Sequence, residues 1–159
     1  MNRLVKELTQ CLINEKKLYE NYYLLVCRKI EITQKNDIDL FSQIINEEKV
    51  LLSKILLLEE KRSKLISMIS DKSDVTISDI SAMINNSFLK KEINVVIKEF
   101  SELINKIKEK NETCNNMIQL NINYINFMLS SVMTEDNTYS YNGKDENKKQ
   151  KLNIFDKKV

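Results

Sequence analysis

The sequence predicts an all-α fold: an elongated antiparallel bundle or coiled coil of three long helices, with a short helix in the second connection and a flexible C-terminal tail. Two observations carry most of this expectation. The 159 residues contain no proline and a single glycine, Gly143, so nothing breaks a helix before that point. Apolar residues also recur at alternating steps of four and three along three long stretches, the signature of helices packed lengthwise. An abrupt change in composition after Met133 then divides a helical bundle domain, 1–134, from a tail, 135–159. At 42% apolar and 30% charged residues, the chain can fill a core and solvate the outside of rods.

The first helix is expected over 2–33, with a seam of Leu4, Leu8, Cys11, Glu15, Leu18, Tyr22, Leu25, Lys29 and Ile32. Val5, Leu12, Tyr19 and Val26 widen its apolar face. Glu15 and Lys29 interrupt the seam and read as register-setting residues that snorkel or sit at the bundle edge. Gln34-Lys35-Asn36-Asp37 forms the first turn, where Asn36 or Asp37 can accept the free N–H groups of the next helix. The second helix carries Ile38, Phe41, Ile45, Glu48, Leu52, Ile55, Glu59, Arg62, Ile66 and Ile69, with a dense apolar block, Leu51-Leu52 and Ile55-Leu56-Leu57-Leu58, at its centre. Its short connection makes it antiparallel to the first.

Between 70 and 87 the pattern loosens. Asp71-Lys72-Ser73-Asp74 is turn-like, and Thr76 followed by Asp79 resembles a capping box with Asp in place of Glu. A short helix over 77–84 follows, ending at Asn85-Asn86, with Ser87 as the expected cap of the third long helix. That helix runs parallel to the first. Its seam is Ile93, Ile97, Phe100, Ile104, Ile107, Asn111, Cys114, Ile118, Asn121, Ile125, Met128 and Val132, a length of roughly 60 Å at about 1.5 Å per residue. From Met117 a second stripe appears, Met117, Leu120, Tyr124 and Phe127, and Ile122, Leu129 and Met133 lie on the other flank. A helix apolar nearly all round must be buried nearly all round, either by the rest of the bundle or by a partner.

Several function classes are excluded by what is missing. There is no histidine, which removes the commonest general base and metal ligand, and one glycine cannot build a phosphate-cradling loop. The carboxylates at Glu47-Glu48 and Glu59-Glu60 read as solvated helix faces. No catalytic residues, metal site or cofactor are therefore expected, and the chain reads as a non-enzyme. The net charge of +2, with lysines interleaved among glutamates, argues against nucleic acid as a partner. Met1-Asn2-Arg3 leads directly into an amphipathic pattern and no apolar run is long enough to span a membrane, so a cytoplasmic location is expected. Cys11, Cys27 and Cys114 lack metal-ligand spacing; Cys11 and Cys114 fall on seams, where a free Cys acts as a small core hydrophobe.

The order of motifs resembles the FlgN family of flagellar export chaperones. Leu18-Tyr19 after Glu15-Lys16-Lys17 is similar to that family's opening helix, and Lys35-Asn36-Asp37-Ile38-Asp39-Leu40 followed by Glu47-Glu48-Lys49 to its turn and second helix. Leu58-Glu59-Glu60-Lys61-Arg62 and Thr76-Ile77-Ser78-Asp79-Ile80 resemble the next two elements. Asn111, Asn115, Ile118 and Asn121-Ile122-Asn123-Tyr124-Ile125 are similar to the asparagine-spaced third helix, and Thr138-Tyr139, Gly143 and Asp156-Lys157-Lys158-Val159 to the tail.

The resemblance implies a cytoplasmic chaperone that holds hook–filament junction (hook-associated) proteins and delivers them to the type III export gate. On this reading a client's terminal helix lies against Met117, Leu120, Tyr124 and Phe127, with Ile118 and Ile125 anchoring the bundle side. Tyr139 and Gly143 of the tail would then dock on the export gate or cover the apolar groove until a client arrives. Two other readings remain. One is a structural coiled coil or homodimer that buries the same stripe without a client; the other is a flagellin-type export chaperone with a different client.

Overall fold

The structure is a computed structural model that describes residues 2–70 and 75–138, with side-chain environments given to residue 133. It contains four helices: α1 (Asn2–Lys35), α2 (Ile38–Ile69), α3 (Ile77–Met83) and α4 (Ser87–Thr138). No strand occurs among the described residues. The expected turn at 71–74, and Tyr139, Gly143 and the rest of the tail from 139 onward, lie outside the described residues. The chain divides into two compact units, Met1–Asn121 and Ile122–Val159.

In the first unit, α1 and α2 are antiparallel. Tyr19 donates to Glu59 at 2.8 Å near one end of the pair, while Arg28 meets Glu47 at 3.1 Å near the other. The turn between them depends on Asn36, whose φ of 54° places it in the left-handed region that asparagine tolerates better than most residues. Its N–H bonds Thr33 O at 3.3 Å, and Asp37 then caps α2 by accepting from Leu40 N at 3.0 Å.

The 36-to-37 reversal thus uses both candidate residues, one to stop α1 and one to start α2. At the next connection Thr76 and Asp79 form the full reciprocal capping box that opens α3. Asp at the third position still reaches the Thr76 N–H, at 2.9 Å. The cap of α4 differs from expectation. Asn86, not Ser87, accepts from the N–H groups of Phe88 and Leu89, both at 3.1 Å, and Ser87 is already the first helical residue.

The described part of α4 in this unit runs parallel to α1. Lys16 pairs with Glu99 at 2.6 Å, the rings of Tyr19 and Phe100 are 5.1 Å apart, and Asn121 donates to Asn36 at 3.3 Å. The main core gathers Val5, Leu8, Cys11 and Leu12 of α1, Leu65 of α2, Ile80 of α3, and Leu89, Ile93, Val96 and Phe100 of α4. Short as it is, α3 plugs this end of the helices through Ile80, and Ser81 donates to Asn94 of α4 at 2.6 Å.

Farther along, Val26, Ile32, Ile44, Ile55, Ile107 and Cys114 continue the buried seam. The leucine block of α2 is less internal than its density suggests. Ile55 is buried, whereas Leu56 and Leu57 are exposed, because consecutive residues on a helix point in different directions.

Candidate functional site

The apolar positions of α4 behave differently in the two units. In the first, Ile93, Ile107 and Cys114 are buried, Met117 and Ile118 are half-buried, and Leu120 is 66% exposed. In the second, none of residues 122–133 is buried. Tyr124 and Phe127 are 64% and 65% exposed, and Ile122, Met128, Leu129, Val132 and Met133 are exposed as well. Ile125, expected to anchor the bundle side, is 56% exposed, so it joins the open surface instead. The seam positions Met128 and Val132 are exposed too, so the described residues of the chain leave this region uncovered. A heptad pattern marks which residues share a face, but not whether anything in the same chain covers that face.

This stretch is also unusual in its polar content. Residues 113–134 include no Asp, Glu, Lys or Arg. The hydroxyls of Ser130 and Ser131 both donate back to the carbonyl of Phe127, at 2.8 and 3.0 Å, so each is satisfied within its own helix. What the surface offers is therefore aromatic, aliphatic and thioether area with a narrow ridge of amides. Such a surface binds by area and shape.

The polar groups of the first unit have a different role. Glu15 is wholly buried on α1 and accepts from Arg62 of α2 at 2.5 Å, while its second oxygen, Oε2, has no hydrogen-bond partner. Burial pushes the Glu15 carboxyl above its ordinary range, and neighbouring Glu59 adds to the shift while Arg62 opposes it. Lys29, also buried, holds both carboxylate oxygens of Glu48, at 2.8 and 3.0 Å. Glu48 further accepts from Tyr22, whose hydroxyl receives the amide of Asn111 at 3.4 Å.

Glu15 and Lys29 are thus internal cross-helix partners, not snorkelling or edge residues, and Glu48 is part of that interior rather than of a solvated face. Each charge is tolerated because the opposite helix presents its counter-charge at the matching height. This arrangement gives the three helices a fixed register and offers no open site for a reaction. The described residues hold no cluster of His, Cys, Asp or Glu suited to a metal ion, and no described helix is long and apolar enough to cross a membrane.

The first unit thus pairs its buried charges across helices, whereas α4 carries an uncharged stretch, 113–134, whose apolar residues are exposed from 122 to 133. The model of the FlgN protein family matches residues 1–148. The chain belongs to the FlgN family. FlgN proteins are flagellar export chaperones that bind flagellar export substrates, a chaperone family and not an enzyme family. No curated protein and no solved structure matches the chain. The match takes in all of α1 to α4, including the exposed part of α4, and reaches past Tyr139 and Gly143 into the tail.

Proposed function

We propose that this FlgN protein is a cytoplasmic chaperone for hook–filament junction proteins, which it holds against the exposed apolar face of α4 and delivers to the type III export gate. The observation that carries this reading is the solvent exposure of Tyr124 and Phe127 within a stretch of α4, 113–134, that has no charged residue, in a chain of an export chaperone family. Ile125 in the second unit, and Leu120 with the half-buried Met117 and Ile118 in the first, are the other residues assigned to the client. A client's flexible terminal segment folds into an amphipathic helix as it docks, so part of the gross interaction energy goes into ordering it. Methionine and aromatic side chains suit a surface that repacks around more than one client. Tyr139 and Gly143 of the tail are assigned to docking on the export gate.

Titration of the full chain with the terminal segment of a hook–filament junction protein from the same genome tests this, followed by calorimetry and sizing. Saturable binding that is lost in a Tyr124→Ala plus Phe127→Ala variant of unchanged helicity is the expected result. The competing reading, a homodimer that buries the same face, is favoured instead by an absence of binding together with a stable dimer that the double variant dissociates. Saturable binding of a flagellin terminal segment alone assigns the flagellin-type client.

A further inference from the structure

We infer that the helix of the second unit is gripped from two opposite sides, each side taking one amphipathic segment of the same client molecule. This deepens the chaperone reading above and rests on it. At about 100° per residue, Tyr124 and Phe127 project about 180° around the helix from Ile122 and Leu129. Met128, Val132 and Ile125 fill one of the two arcs between these pairs, so the apolar side chains span about 220° of the circumference, with Ser131 between Phe127 and Tyr124. Asn123, Asn126 and Ser130 occupy the rest. All seven apolar residues are exposed.

A helix that packs on one side needs an apolar stripe of about 100° or somewhat more. One client helix laid on Tyr124 and Phe127 therefore leaves Ile122 and Leu129 in water, and the reverse holds as well. Covering both takes two segments. The stretch 122–133 is only about 18 Å long, and an isolated helical segment of that length is marginal by itself. Two such segments carried by one client convert the second docking step into an intramolecular one, which raises the overall affinity without further contacts. The lack of charge from 113 to 134 adds a constraint on both segments: the parts of their docking faces that lie against this stretch are uncharged, because a buried lysine or glutamate there finds no counter-ion within it.

The test uses the full chain, a full-length hook–filament junction protein from the same genome, and two double variants at opposite exposed faces, Tyr124→Ala with Phe127→Ala and Ile122→Ala with Leu129→Ala. Alanine keeps helix propensity, and circular dichroism verifies the fold of each variant. We expect one client per chaperone and two separate client segments protected from hydrogen exchange, with each variant weakening binding by about tenfold or more and releasing a different segment. Affinity holds or rises between about 0.1 M and about 1 M salt, since no ion pair is screened and apolar contact is strengthened. A single protected segment, with only one of the two variants affected, overturns the two-sided grip and leaves the chaperone reading standing. Failure of the unaltered chain to bind any junction protein overturns both. A dimer dissociated by both variants assigns the second side to another copy of the chain and overturns the two-segment client.

Discussion

Arg62 donates to Glu15 across the first unit: the carboxylate has no solvent exposure, and the guanidinium reaches it at 2.5 Å from the neighbouring helix. The two residues have opposite consequences when removed singly or together. Arg62→Met strands a buried carboxylate and is expected to cost about 3–5 kcal/mol in urea unfolding. Glu15→Leu with Arg62→Leu removes both charges and should lie within about 1 kcal/mol of the original chain, or above it. A double-mutant cycle measures the difference.

The same carboxyl makes stability depend on pH in a defined direction. Burial raises the Glu15 pKa above the 4.5 of an exposed glutamate, with Glu59 adding to the shift and Arg62 working against it. The folded state therefore holds the proton more tightly than the unfolded chain does. The contribution is fully present below about 4.5 and is lost as pH rises through the folded value. Melting curves of the original chain and Glu15→Gln between about pH 4 and pH 7 should diverge, with the original losing ground as pH increases.

At alkaline pH a second group acts in the same sense. Burial, then the bond to Glu59 and the charge of Glu59 and Glu15, raise the Tyr19 phenol well above its ordinary 10. Ionising it on unfolding favours the unfolded chain, so stability falls as pH climbs beyond about 10. Tyr19→Phe removes this slope, which unfolding experiments at pH 9 to 11, on the order of one unit apart, will show.

Position along α4 decides the effect of truncation. Ile93 is fully buried in the main core, and Ile93→Ala should cost about 2–5 kcal/mol. Phe127→Ala, at an exposed position, should alter stability by no more than about 0.5 kcal/mol while weakening client binding. Thermal melts together with the client titration separate the two.

Thiol chemistry reports the packing independently. Cys11 and Cys114 are buried, and burial raises both thiol pKa values, whereas Cys27 is partly exposed. A disulfide-exchange reagent should label Cys27 quickly and the other two only at the rate of unfolding.

Much of this arrangement is legible in the sequence because it depends on local rules. Four-three spacing marks α1, α2 and α4, and the side chains of Thr76 and Asp79 announce α3. The Glu15–Arg62 and Lys29–Glu48 pairs were harder to see, since each charge looks like an interruption until the register of the opposite helix is known. Asn86 was missed as a cap because Asn85, Asn86 and Ser87 are all competent, and only backbone geometry chooses among them. Whether the chain itself covers Ile125, Met128 and Val132 is not legible for a related reason. Periodicity carries no information about where the covering helices stop.

The parallel pairing of α1 with α4 also orders events during synthesis. Tyr19 and Glu59 belong to neighbouring helices and can meet early, but Phe100 must be made before the Tyr19–Phe100 contact exists. The α1–α2 hairpin thus forms while one of its apolar sides still waits for a partner, a non-local closure that is intrinsically slower. Tyr124 and Phe127 leave the ribosome only after every α4 residue of that core. The exposed apolar stretch of α4 emerges when the core of the first unit has all its pieces, which shortens the time in which it could be drawn into the wrong interior.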